Sequence, residues 1–77
     1  MVPVKICGIT NKDDALYAAR CGAAALGFIF YPQSPRYIKP EDAKIIVSSL
    51  ADTVVKVGVF VNEQPKEVKR VMEYCAL

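Results

Sequence analysis

The sequence predicts a parallel α/β sheet built from three consecutive βα units. Three observations carry this expectation. Short apolar stretches alternate with amphipathic helical patterns three times. The connections between them are short, which requires parallel strands linked by right-handed crossovers. The apolar stretches also run nearly uninterrupted, as in parallel strands covered on both faces.

The first strand spans Pro3 to Cys7 and runs directly into Gly8. Thr10 followed by Asp13 has the spacing of a capping box and marks the start of a helix over about Asn11 to Arg20. Ala15, Leu16, Ala18 and Ala19 form its apolar side, and Gly22 stands at the expected C-terminal position. The second strand is Ala25 to Tyr31, followed by the turn-forming run Pro32-Gln33-Ser34-Pro35-Arg36. Pro40 opens the second helix, where its missing N–H costs nothing, and Glu41 and Asp42 suit the positive end of the helix dipole. Ala43, Ile46, Val47 and Leu50 give its buried stripe. The third strand is Val54 to Val61. Asn62 is the expected cap of a third helix starting near Pro65, with Val68, Val71, Met72 and Cys75 on one face. Gly27-Phe28-Ile29-Phe30 and Gly58-Val59-Phe60-Val61 echo each other, as repeated βα units would. No linker interrupts the pattern, so residues 1–77 read as one domain or part of one.

Strand alternation sets the faces. Lys5 and Cys7 share one face of strand one, with Val4 and Ile6 toward the helices. In strand three, Val55, Val57, Val59 and Val61 oppose Lys56, Gly58 and Phe60, which places Lys56 beside Lys5 on the non-helical face.

Composition narrows the function classes. The 77 residues are 53% hydrophobic, more apolar surface than a domain of this size ordinarily buries. Association with copies of itself, or with a missing part of a larger fold, follows. The net charge of +2 is scattered, so nucleic acid is a poor partner. The longest apolar run, Ala23 to Tyr31, falls short of the roughly 20 residues that span a bilayer, and no signal-peptide pattern is present. Three cysteines without any His or Cys-x-x-Cys argue against a structural zinc site and for free thiols in a reduced cytoplasm. Gly-x-Gly-x-x-Gly, a P-loop and a Cys–His dyad are absent.

Two residues stand where chemistry is usual. Cys7 ends a strand at the edge where parallel α/β proteins bind ligands. It reads as a general base or nucleophile, or as an inert core cysteine. Arg36 lies in the loop after strand two, held by Pro35, and reads as a fork for a carboxylate or phosphate, or as a solvated loop arginine. Cys21 and Cys75 read as packing residues, and the charges from Lys66 to Glu73 as a solvated helix face.

Four blocks in order, Lys5-Ile6-Cys7-Gly8-Ile9-Thr10, Gly27-Phe28-Ile29-Phe30-Tyr31, Ser34-Pro35-Arg36-Tyr37-Ile38 and Val57-Gly58-Val59-Phe60-Val61-Asn62, resemble phosphoribosylanthranilate isomerase, a family of tryptophan biosynthesis. The resemblance implies the N-terminal part of a (β/α)8 barrel, its first three βα units. It implies an isomerase that performs an Amadori rearrangement of N-(5-phosphoribosyl)anthranilate without metal or organic cofactor. It maps the general base onto Cys7 and the contact to the anthranilate carboxylate onto Arg36. The family's general acid, an aspartate of a later strand, and its phosphate site in the last βα loops match nothing in these 77 residues. The expectation is therefore an N-terminal fragment inactive by itself. The alternative is a small βα scaffold or binding domain that self-associates without catalysis. A receiver-like domain would want an acidic residue where Asn62 stands.

Overall fold

The computed structural model describes residues 3–77. The elements follow the order β1 (Lys5–Cys7), α1 (Lys12–Arg20), β2 (Ala25–Ile29), α2 (Pro40–Ser48), β3 (Val55–Val59) and α3 (Pro65–Cys75). The strands form one parallel sheet in the order β1-β2-β3, so β1 and β3 are its edges. The strands are shorter than their apolar runs. Backbone pairing stops at Ile29 and Val59, while Phe30 and Phe60 continue the apolar run as a stacked pair with centroids 5.3 Å apart.

The sheet has one covered face. Leu26 and Phe28 are fully buried in a core with Ala15 of α1, Ala43, Ile46 and Val47 of α2, and Val71 and Cys75 of α3. Pairing aligns Ile6 with Leu26 and Lys56, and Phe28 with Gly58. Paired residues of a parallel sheet point to the same side. Lys56 and Gly58 therefore lie on the helix side, whereas Val55, Val57 and Val59 lie with Lys5 and Cys7 on the open side. This corrects the expectation that Lys5 and Lys56 share a face. The error is one of phase, because a valine at every second position looks like a core stripe. Lys56 tolerates the helix side because its long stem lets Nζ reach out and donate to the Ala51 carbonyl at 2.8 Å. Val55, 59% exposed, awaits cover that the three helices do not supply.

Three further expectations shift. The first cap is Asn11, not Thr10: its side-chain oxygen accepts from the Asp14 N–H at 2.8 Å, and its amide donates to the Asp14 carboxylate at 2.9 Å. Asn cannot be told from Thr as a cap by spacing alone, since both precede an acidic residue by three. The third helix is capped by Gln64 without a side-chain bond, and Asn62 takes a left-handed turn instead (φ 53°). Met72 is exposed, while Val71 and Cys75 hold the contact of α3.

Helix α1 ends as its sequence predicts. Gly22 is left-handed (φ 95°), its N–H donates to the Ala19 carbonyl at 3.1 Å, and the Ala23 N–H reaches the Ala18 carbonyl at 3.1 Å. Helix α3 ends in the same motif, with Leu77 donating to Met72 at 2.9 Å, but the left-handed position is Ala76 (φ 61°). Alanine is strained there, whereas glycine is not. Ala76→Gly is expected to raise stability and Gly22→Ala to lower it, each by about 1 kcal/mol, or about 4–8 °C in melting temperature. Thermal unfolding of the two variants against the parent checks both signs.

Cys75 is 1% exposed, and its thiol donates to the Pro40 carbonyl at 3.3 Å, tying α3 to the start of α2. Burial pushes this thiol's pKa up, partly opposed by Lys44 nearby. A raised value in the folded chain means that the native state keeps a proton which the unfolded state releases. The associated stability is whole below the unfolded thiol's pKa of about 8.5 and declines as pH rises toward the folded value. Alkylation under native conditions is expected to modify the exposed Cys7 and Cys21 and to reach Cys75 only on unfolding, read by peptide mass spectrometry.

Candidate functional site

Cys7 stands at the carboxyl end of β1, exposed, directly opposite Gly27 of β2. The chain leaves the strand through Gly8, whose left-handed backbone (φ 86°) suits glycine. The N–H groups of Gly8 and Ile9 both donate to the Gly27 carbonyl at 3.1 Å. One acceptor thus holds two consecutive amides and fixes how β1 turns toward α1. Ile9, 4% exposed, anchors the turn in the core. On the open face, a Cβ built on Gly27 would lie 2.9 Å from the Cys7 sulfur.

Arg36 is brought to the same place by a folded-back loop. The Ser34 N–H donates to Tyr31 at 2.9 Å and the Tyr37 N–H to Ser34 at 3.1 Å. The Ser34 hydroxyl accepts from the Arg36 N–H at 3.2 Å. Past the loop, the Ile38 N–H donates to the Ile29 carbonyl at 3.0 Å, which sets the loop beside the end of β2. The arginine side chain then lies across Gly8, where a Cβ would meet its Cδ at 2.6 Å and its Nη1 at 3.1 Å. Glycine at position 8 serves the turn and the arginine at once.

Cys7 and Arg36 are therefore brought together. With Gly8, Thr10, Asp14 and Pro35 they line one groove of about 660 Å³ at the end of β1. The groove continues down the unpaired edge of β1 to Cys21, which is exposed and not the packing residue its sequence position suggested. The ion pairs among the described residues are Lys69–Glu73 and Arg70–Glu67 on α3, so the Arg36 guanidinium faces the groove without a carboxylate partner there. Asp14 is engaged by Asn11. Among the described residues, no cluster of His, Cys, Asp or Glu is placed to hold a metal ion, and no helix is long and apolar enough to cross a membrane. A thiol beside an open guanidinium can move a proton next to a bound anion.

Sequence reasoning did not single out Gly27, Gly8 or Ser34 as parts of this site. Gly27 had a signal, since glycine inside a strand often marks a close approach. The contact of Arg36 with Gly8 joins residues 28 positions apart and leaves no local trace.

The family model described as N-(5'-phosphoribosyl)anthranilate (PRA) isomerase matches residues 4–77. The N-(5'-phosphoribosyl)anthranilate isomerase of Thermotoga maritima is 56% identical over 77 residues, covering 100% of this chain and 38% of that protein. The enzyme of that name from Nitratiruptor is 56% identical over 72 residues, covering 94% and 37%. The crystal structure of phosphoribosyl anthranilate isomerase from Thermotoga maritima superposes with a TM-score of 0.98 at 56% identity, over 100% of this chain and 38% of that one. A second structure, of the isomerase in complex with reduced 1-(o-carboxyphenylamino)-1-deoxyribulose 5-phosphate, gives 0.98 and 56%, over 100% and 40%. The chain thus spans about 38% of the length of the curated relatives it matches. Its three βα units correspond to the N-terminal part of their (β/α)8 barrel. On the match over residues 4–77 and these identities, the chain belongs to the N-(5'-phosphoribosyl)anthranilate isomerase family.

Proposed function

We propose that this chain supplies the base and the carboxylate anchor of a cytoplasmic N-(5'-phosphoribosyl)anthranilate isomerase, and that other parts of a barrel supply the rest. The observation that carries the reading is the convergence of Cys7 and Arg36 on one groove at the strand ends. It is supported by a relative seen in complex with a reduced carboxyphenylamino-deoxyribulose phosphate. That molecule bears a carboxylate for a guanidinium and a carbon skeleton for a base.

The proposed reaction begins when a general acid protonates the ribose ring oxygen. The C1–O bond breaks as the anilino nitrogen lone pair forms an iminium. Cys7, as thiolate, takes the proton from C2. The C–H electron pair becomes the C1=C2 bond, and the iminium pair returns to nitrogen. The enol then ketonises at C2 while C1 gains a proton. Arg36 holds the anthranilate carboxylate with a charge-assisted bond, so that C2 is presented to the sulfur. No cofactor enters this scheme. The general acid and the phosphate site belong to βα units beyond the three described here, in keeping with the family resemblance.

Loss of anthranilate fluorescence is the assay. The 77-residue chain alone is expected to show no turnover, and measurable turnover would overturn the division of labour. Joined to the remainder of the Thermotoga maritima enzyme, the same residues are expected to be active. In that setting Cys7→Ala should lower kcat by about 10²–10⁴-fold, the usual share of one general base. Arg36→Met should raise KM by about 10–100-fold, as one charged hydrogen bond is lost.

Two open sheet edges and the exposed Val4, Ile6, Val55 and Val61 favour self-association as a companion reading. One relative from Thermotoga maritima is described as dimeric. Sedimentation of the 77-residue chain should show a dimer or larger species, and a stable compact monomer would refute it.

A further inference from the structure

We infer that Gly27 is a positioning residue for Cys7: the absent side chain on β2 is what allows the sulfur to stand on the open rim of the sheet. This rests on the reading of Cys7 as the base, through which Gly27 would act without touching substrate. The register sets Cys7 and Gly27 side by side on the same face. A Cβ at position 27 would fall 2.9 Å from the Cys7 sulfur, 3.3 Å from its Cα and 3.4 Å from its Cβ. The other strand glycine behaves differently. Gly58 is on the helix side, where a Cβ would meet only the ends of Phe60, Leu77 and Phe30.

The strand cannot relieve the contact by moving away. The Gly27 carbonyl holds the Gly8 and Ile9 amides at 3.1 Å, just past Cys7. The shortest contact, with the sulfur at 2.9 Å, is relieved by rotation about the Cys7 Cα–Cβ bond. A step between staggered rotamers carries the sulfur roughly 3 Å from its place. Proton abstraction does not tolerate such a displacement, since about 1 Å of misplacement can cost about 100-fold in rate. Glycine is otherwise a poor strand residue, so its presence at the pairing partner of the thiol calls for this kind of reason.

The test compares the parent, Gly27→Ala, Cys7→Ala and the double variant. The first readout is the pH profile of Cys7 alkylation by iodoacetamide in the 77-residue chain, with Cys21 as internal reference. Gly27→Ala should change the Cys7 profile and leave that of Cys21 unchanged. The second readout is melting temperature. The loss caused by Gly27→Ala should shrink when Cys7 is already alanine, because the 2.9 Å contact with the sulfur is then gone while those with the Cys7 Cα and Cβ remain. The third is turnover in the completed barrel, where Gly27→Ala should lower kcat by about 100-fold with little change in KM. An unchanged Cys7 profile, or an equal melting loss in both backgrounds, overturns the inference. If Gly27→Ala does not fold, folding of the double variant supports it and failure of the double variant overturns it. Should Cys7→Ala retain turnover, the base assignment falls, while alkylation and melting still decide the role of Gly27.

Discussion

The Gly27 peptide does two things at one point. Its carbonyl collects the amides that follow Cys7, and its bare α-carbon gives the sulfur room. A backbone carbonyl has two lone pairs, so one group can satisfy both donors of a tight turn without a side chain. The turn after β1 and the entry to α1 follow from that geometry, and the loop after β2 then lays Arg36 over Gly8. Had β2 carried a larger residue here, the strand pairing that holds the turn would have pushed the thiol off the rim.

The rest of the molecule serves this rim unevenly. The helix side is well made: Leu26, Phe28, Ala15, Ala43, Val71 and Cys75 pack without a buried polar residue among those described. The opposite side is open, with Lys5, Cys7 and the β3 valines toward solvent. A half-covered parallel sheet with two unpaired edges is unusual, because such strands normally carry helices or further strands on every side. The candidate site lies on the open side and beside an open edge. The groove follows the β1 edge, where Val4, Ile6 and Tyr17 also line it, and the β3 valines lie at the other edge of the sheet.

The order of elements, the helix starts at Pro40 and Pro65, the left-handed Gly22 and the candidates Cys7 and Arg36 were all readable along the chain. These are local signals, written by one residue and its near neighbours in sequence. The caps were read less well, since Thr10 and Asn11 compete for one role and Gln64 carries no capping bond. The strand ends were also overrun, because Phe30 and Phe60 are as apolar as the strands they follow but stack just past the last paired residues, Ile29 and Val59.

By itself the sequence determined three βα units, their parallel arrangement and the positions of Cys7 and Arg36 at the strand ends, since periodicity and turn chemistry act over a few residues. Only the tertiary structure decided which side of β3 meets the helices, because a period of two defines two faces but not which of them is inward. Only it decided that Arg36 crosses Gly8 and that Cys7 rests beside Gly27. Those contacts depend on register and on the path of a loop, and register is settled between strands rather than within one.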